Sequence, residues 1–321
     1  MLSKDDEFAR VYKLVRPVAV GSTAEVWLAS TRVAGLAVTL KILHEHLGVD
    51  SDIAARFGLE AQLSMQLAMR GLPGAIDVGS GQGRLYFSYP FVDGENLAAI
   101  AWRAAKKQVA IPAAVAASII AGACRLMAAC HSAEAADGKP LGLVHCGLTP
   151  QHLLVTHEGD VRIVDVGDAQ IADRPWSARR VLNLDRLSYW APEQWGAGAI
   201  DRRTDVFALG VILFELVTGK RLFKHEALAT MAEMVMKRDV IAPSKVSSCS
   251  PNLDAIILRA LEKDPQRRYQ TVDELELILR GYLATEPAAS GDVAVVMREL
   301  FGGRSPKSDV NPSAPRAETN S

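Results

Sequence analysis

Residues 141–170, LGLVHCGLTPQHLLVTHEGDVRIVDVGDAQ, decide the fold of this 321-residue chain. Three short apolar runs are separated by short loops and predict strands: Leu141–Val144, His152–Thr156 and Val161–Val164. Gly159 marks a tight turn between the last two runs. A loop begins at His145, and Asp165 follows the last strand. The stretch therefore predicts paired strands with a polar loop on either side.

Composition describes a globular chain with ample apolar residues for a core. Hydrophobic residues make up 49% of the sequence, charged residues make up 23%, and the formal net charge is −1. Such a chain offers no basic field, so we expect neither nucleic acid nor anionic lipid as a partner. The four cysteines lack metal-binding spacing and are expected to be reduced thiols of a cytoplasmic protein.

One stretch, residues 111–130, is about as long as a membrane span. Alanine dominates it, Pro112 opens it and Arg125 lies inside it. Alanine is the best helix former, so we predict a buried helix and no membrane insertion. The mostly charged residues 1–10 are not expected to act as a signal peptide.

The motif order resembles that of bacterial eukaryotic-like (Hanks-type) serine/threonine protein kinases. In that family H-R-D-x-x-x-x-N supplies a catalytic base and a metal ligand, and D-F-G follows. Here the first motif holds His145-Cys146-Gly147, the asparagine position holds His152, and D-F-G becomes Asp165-Val166-Gly167. The resemblance implies an α+β, two-lobed protein-kinase fold, with a small β-rich N-lobe containing one main helix and a larger, mostly helical C-lobe.

The Gly-rich loop of that family is reduced here. Its pattern, G-x-G-x-x-G-x-V, falls on Ala19, Gly21, Ala24 and Val26, so only the middle glycine survives. A Cβ at the two other glycine positions hinders the close approach of backbone N–H groups to phosphate. We therefore expect weak ATP binding or none.

The rest of the nucleotide pocket is better kept. Lys41, in Val38-Thr39-Leu40-Lys41, matches the phosphate-pairing lysine, and Glu60 on a predicted helix matches its ion-pair partner. Without the resemblance, each would be interpreted as a solvated side chain. Asp165 is the expected metal ligand. The resemblance assigns seven residues to nucleotide binding: Gly21, Val26, Thr39, Lys41, Glu60, Leu154 and Asp165.

Later motifs match the structural frame of the family. They are Tyr189-Trp190-Ala191-Pro192-Glu193, 205–210 and 264–269. By resemblance, Glu193 pairs with Arg268, Asp205 holds the catalytic-loop backbone, and His145 packs beside the D-x-G motif. A buried carboxylate–guanidinium pair tolerates no loss of one partner, because the other charge is then stranded.

The catalytic positions are mostly replaced. The family needs a carboxylate base, a lysine two residues later, and an asparagine and an aspartate for magnesium; here stand Gly147, Thr149, His152 and Asp165. Loss of a positioned base alone costs about 10²–10⁴ in rate. His152 is a poor magnesium ligand, since magnesium prefers oxygen, so magnesium binding stays open.

Three functions are compatible with this pattern. The leading hypothesis is a pseudokinase, a regulatory or scaffolding module whose partner is a signalling protein such as another kinase. The second is an active serine/threonine kinase that recruits a displaced base such as Asp168. The third is a transferase that moves a different part of the nucleotide.

We predict five segments. They are an N-terminal extension (1–10), the N-lobe (11–92), the C-lobe (93–284), an amphipathic helix (285–301) and a disordered tail (302–321). The helix carries Val293, Val296 and Leu300 on one stripe. A helix this short is marginal alone, so we expect it to dock on the large lobe or on a partner.

Overall fold

The computed structural model describes residues 2–32, 34–68, 71–167, 169–171, 184–196, 198–285 and 292–302. These residues form two compact units. The first comprises the described residues up to 94 together with 164–167 and 301–302, and the second comprises 95–163 and the described residues from 169 to 300. Asp168, residues 172–183 and the predicted tail except Gly302 lie outside the described residues.

An antiparallel six-stranded sheet dominates the first unit, with strand order β1-β2-β3-β4-β6-β5. Its strands are β1 (Glu7–Phe8), β2 (Tyr12–Val20), β3 (Ala24–Thr31), β4 (Ala37–Leu43), β5 (Asp77–Gly81) and β6 (Arg84–Pro90). Strand β1 pairs with β2, and its Phe8 is fully buried. The sheet therefore begins before residue 11, where the sequence placed the start of the lobe. The β5–β6 turn consists of Gln82 and Gly83, both at positive φ, as a tight hairpin requires.

Helix α1 (Ser51–Leu67) packs on this sheet. The Asp50 side chain caps its first turn by accepting hydrogen bonds from the amides of Asp52 and Ile53. Phe57 and Ala61, one turn apart, join a core cluster with sheet residues that include Phe87. The same buried face carries Glu60, so the packing of α1 aims this carboxylate at the sheet.

The second unit is mostly helical. Its helices are α2 (Leu97–Lys107), α3 (Ala113–His131), α4 (Leu184–Leu187), α5 (Pro192–Trp195), α6 (Arg203–Thr218), α7 (Leu228–Lys237), α8 (Pro251–Ala260), α9 (Val272–Thr285) and α10 (Val293–Phe301). Three short strands, β7 (Gly94–Asn96), β8 (Leu153–Thr156) and β9 (Val161–Ile163), form a small sheet in the order β7-β8-β9. The two units confirm the predicted α+β, two-lobed architecture.

Helix α3 is the alanine-rich segment that the sequence predicted as a buried helix. It is long and apolar enough to cross a membrane, but 67% of its most apolar stretch is buried within the fold. It packs against α6, α9 and β9. This burial confirms the prediction of a buried helix.

One local prediction was wrong, and one helix was missed. Residues 141–144 form no strand, because only Val144 makes a bridge, to Gln170. Helix α2 was not predicted, although the Asn96 side chain caps it by accepting a hydrogen bond from the Ala99 amide.

Candidate functional site

Three charged side chains meet in the first unit. Lys41 on β4 and Glu60 on α1 are 8% and 7% exposed, and Lys41 Nζ lies 2.5 Å from Glu60 Oε1. Lys41 Nζ also lies 3.3 Å from Asp165 Oδ2. The structure therefore places a buried ammonium between two carboxylates, in a chain where the three residues are far apart in sequence.

The electrostatics of this cluster favour a charged Lys41. Burial alone would lower the pKa of Lys41, but the negative charges of Asp165 and Glu60 outweigh it and raise that pKa above its ordinary value. Lys41 therefore remains protonated throughout the physiological range and can hold an anionic group or its carboxylate partners.

Gly167 allows the D-x-G segment to lie against this cluster. A Cβ at this position would be 2.8 Å from Glu60 Oε2 and 3.1 Å from Asp165 Oδ1. Asp165 has a positive φ, and its Oδ1 accepts a hydrogen bond from the Gly167 amide. A larger residue at position 167 would therefore press on the Glu60 carboxylate that pairs with Lys41.

The reduced Gly-rich loop is pinned by hydrogen bonds within the first unit. The Gly21 amide donates to the Ala24 carbonyl at 2.9 Å, and the Gly21 carbonyl accepts from His44 Nε2 at 2.8 Å. The His44 amide donates to the Thr23 carbonyl. The amide of the one remaining glycine is therefore engaged inside the turn, which reduces what the loop offers to a phosphate.

In the second unit, Asp205 holds the loop that precedes β8. Its carboxylate accepts hydrogen bonds from the amides of His145 and Cys146 at 2.8 and 3.0 Å, and from His131 Nε2 at 2.8 Å. Cys146 is buried at positive φ, and its carbonyl accepts from Gln194 Nε2. These hydrogen bonds fix the backbone of the loop at His145 and Cys146.

Thr149, His152 and Arg186 form a side-chain network at this loop. Gly147, at the base position, has no side chain. Thr149 and His152 are 4% and 6% exposed, and Thr149 Oγ1 lies 3.3 Å from His152 Nδ1. Arg186, on α4, places Nη2 3.0 Å from His152 Nε2.

Both ring nitrogens of His152 have protein partners. Nδ1 faces the Thr149 hydroxyl, and Nε2 faces the Arg186 guanidinium, which can only donate. The position of the second magnesium ligand is therefore held by His152, an imidazole whose two nitrogens contact Thr149 and Arg186.

Of the two described residues at the metal-ligand positions, Asp165 alone carries a carboxylate. Its carboxylate supplies the oxygen that magnesium prefers, whereas His152 does not. Among the described residues, no group of three or more histidine, cysteine, aspartate or glutamate side chains is arranged to hold a metal. The described residues at these two positions do not supply the ligands of the two-ion arrangement of protein kinases.

The structural frame of the second unit is complete around Glu193. Arg268 donates to it through two parallel bonds, Nη1 to Oε1 and Nη2 to Oε2, each 2.7 Å long. Thr204 Oγ1 donates to the same carboxylate at 2.9 Å. The Arg268 and Glu193 side chains are 0% and 5% exposed, so this pair is fully desolvated.

The remaining predicted pocket residues lie in both units. Val26 on β3 pairs with Lys41 in the sheet, and Thr39 on β4 pairs with Tyr89 on β6. Leu154 lies on β8 in the second unit. The nucleotide-binding roles of these residues stay predictions.

Two residues at the site were missed by sequence reasoning. His44 and Arg186 occupy no family motif position, and their partners are 23 and 34 residues away. Hydrophobic patterns and motif spacing do not predict contacts of this kind. The one hint in the sequence is that both side chains carry hydrogen-bond donors and lie near motifs that have lost residues.

Comparison with known proteins gives a consistent result. A family model described as "Protein kinase domain" matches residues 12–277. Tyrosine-protein kinase MasK of Myxococcus xanthus is 30% identical over 284 residues, covering 87% of this chain and 44% of MasK. Serine/threonine-protein kinase PknB of Mycobacterium leprae is 29% identical over 285 residues, covering 87% of this chain and 44% of PknB. The chain thus spans less than half the length of these relatives.

Solved structures agree in fold. The kinase domain of PknI from Mycobacterium tuberculosis superposes with a TM-score of 0.64 at 22% identity, covering 88% of this chain and 99% of that domain. At this level of identity the likeness shows the fold alone.

Proposed function

Since the chain belongs to the protein kinase domain family, we propose that it acts as a pseudokinase, a signalling module that regulates or scaffolds without transferring phosphate. The single observation that carries this proposal is the network at the catalytic loop. Gly147 stands where a base is needed, and His152 is held between Thr149 and Arg186.

The magnitude of the loss supports the same conclusion. A positioned general base contributes about 10²–10⁴ in rate. Thr149 carries no charge to stabilise the transferred phosphoryl group, and electrostatic stabilisation of this kind is commonly the largest catalytic contribution. Three of the four local requirements of phosphoryl transfer are therefore missing together.

The nucleotide pocket supports weak binding at most. Lys41, Glu60 and Asp165 keep their mutual contacts, which suits a phosphate or a single cation. The Gly21 amide is committed within its own turn, and His152 is unsuited to magnesium. We propose that the adenine end provides most of the affinity and that magnesium adds little.

A second candidate function is an active serine/threonine kinase with a non-standard catalytic loop. The intact Lys41–Glu60 pair favours it, because that pair is a requirement of active kinases. In this case Asp168, which lies outside the described residues, would act as the displaced base.

Calorimetry with ATP, ADP and adenosine, each with magnesium and with a chelator, tests the proposal. We expect adenosine to retain most of the affinity of ATP and magnesium to change it less than about threefold, that is, by less than about 0.7 kcal/mol. Tight ATP binding that requires magnesium would refute the proposal and favour the active kinase. The Lys41→Met variant is the matched control, since it removes the cation and leaves the apolar part of the pocket.

We propose a signalling protein, such as another kinase, as the partner, and the cytoplasm as the location. A fold kept without its chemistry supports a binding role. Affinity capture from native cells, with the Lys41→Met chain as a parallel bait, tests the partner; recovery of no signalling protein by either bait would contradict it.

A further inference from the structure

Helix α10 lies on the second unit with one face buried. Met297 and Leu300, three residues apart, are 1% and 2% exposed, whereas Val295 on the other side is 37% exposed. The helix therefore presents two apolar side chains to the unit and a more polar face to solvent.

The C-terminal end of α10 is held by cations from α2. Arg103 Nε donates to the Leu300 carbonyl at 3.1 Å, and Lys107 Nζ donates to the Glu299 carbonyl at 2.6 Å. The last carbonyls of a helix lack partners within the helix and carry the negative end of its dipole. Since these contacts are to backbone atoms, α2 recognises the end of a helix independently of its sequence.

The other end of α10 fits the turn between β8 and β9. Gly159 in that turn has a positive φ, and a Cβ there would lie 3.1 Å from the Ala294 amide nitrogen. The Asp292 side chain caps α10 by accepting from the Ala294 amide at 2.9 Å. The turn is therefore shaped for close approach by a capped helix.

The seam between α10 and the unit is not tightly packed. A small apolar pocket remains between Val296 of α10 and residues Val109 and Ile111 of the α2–α3 connection. At its rim, Val109 is 48% exposed. A nine-residue helix is marginal alone, so α10 depends on a few buried contacts and belongs among the segments that open first.

We propose that this face of α2 and the β8–β9 turn is a helix-binding site, filled in cis by α10 and open to a partner helix when α10 detaches. The occupant is a short amphipathic helix with apolar residues at positions i and i+3, as Met297 and Leu300 are in α10. Its terminal carbonyls are read by Arg103 and Lys107. The proposal is independent of any loss of phosphoryl transfer.

A peptide of residues 292–302 tests the site in the full-length chain. Met297→Asp with Leu300→Asp in the chain should detach α10 and leave the face open, because both side chains are buried. Calorimetry should then show one peptide bound per chain, with affinity at least tenfold higher than for the wild-type chain, whose own α10 competes.

Matched controls make the result specific. A chain carrying Val295→Asp, on the exposed side of α10, should behave as the wild type, and a peptide carrying both aspartates should not bind. Adding Lys107→Ala to the detached chain should weaken the peptide about two- to fivefold, as expected for a cation at a helix C-terminus.

Two results would overturn the proposal. The first is a detached chain with wild-type far-ultraviolet circular dichroism that binds no peptide. If that chain does not fold, hydrogen exchange of the wild-type chain is the deciding measurement. We expect the amides of residues 297–300 to exchange at least tenfold faster than those in α6. The second overturning result is equal protection of the two helices, because α10 would then be a fixed part of the core.

Discussion

The substitution Glu193→Ala would strand the guanidinium of Arg268, whose side chain is 0% exposed. Arg268 keeps three contacts to carbonyls, those of Glu262, Lys263 and Arg203, but loses both bonds to its carboxylate partner. Removing one partner of a buried pair costs about 3–5 kcal/mol, because the remaining charge is desolvated without compensation. Thr204 also loses its acceptor, so we expect the upper half of that range.

Replacing both members of the pair should cost much less. In Glu193→Met with Arg268→Met, no charge is left in the site, and apolar side chains of similar length fill it. Buried pairs replaced in this way are often near neutral. The double variant should therefore be more stable than either single variant, with a coupling energy of about 2–3 kcal/mol or more.

Urea denaturation, followed by circular dichroism, measures these free energies of unfolding. Native-state hydrogen exchange at the amides of α6 gives an independent value for the second unit alone. Glu193→Gln is the matched control, as it keeps the size and one acceptor. A loss below about 1 kcal/mol for Glu193→Ala, or strict additivity in the cycle, would refute the reasoning.

Two further predictions concern Lys263 and Gly167. Burial, and then the nearby Arg268 charge, lower the pKa of Lys263 from 10.5 to about 8. Between these two pH values the unfolded chain binds more protons than the folded chain. The free energy of unfolding of the wild type should therefore rise with pH over this range. At pH 7, Lys263→Met should be more stable than the wild type by about 1–2 kcal/mol, after allowance for solvent screening, and this gain should vanish above about pH 10.5. Thermal melts over this pH range measure the gain, and a gain that is constant with pH would contradict the prediction. Gly167→Ala should cost about 1–3 kcal/mol, because its Cβ would meet Glu60 Oε2 at 2.8 Å. Gly281→Ala in α9, where a Cβ meets nothing within 4 Å, should instead stabilise by about 0.5–1 kcal/mol, and equal effects of the two would refute the packing argument.

The sequence predicted the fold through motifs that recur in order. Lys41 lies on a strand and Glu60 on a helix, as the motif positions imply, and the predicted amphipathic segment is helical over Val293–Phe301. Boundaries were less predictable where backbone conformation decides them. The β5–β6 turn lies at Gln82-Gly83, because Gly81 stays in its strand where a Cβ would lie 2.8 Å from Ala9.

The site was predictable only as far as the motifs extend. That Gly147, Thr149 and His152 replace catalytic groups can be seen from spacing alone. The side-chain contacts at these positions cannot be predicted from spacing, because Arg186 contacts His152 from 34 residues away and His44 contacts Gly21 from 23 residues away. Contacts of this kind depend on tertiary packing and leave no periodic trace in the sequence.

The measurement that tests the central claim most directly is incorporation of label from γ-labelled ATP with magnesium, by the wild-type chain, Lys41→Met and Gly147→Asp, beside an active kinase of the family. We predict that all three match the background without protein, both for autophosphorylation and for generic protein substrates. Gly147→Asp alone should remain inactive, because His152 still occupies the position of the second metal ligand. Incorporation by the wild type that Lys41→Met abolishes would contradict the account.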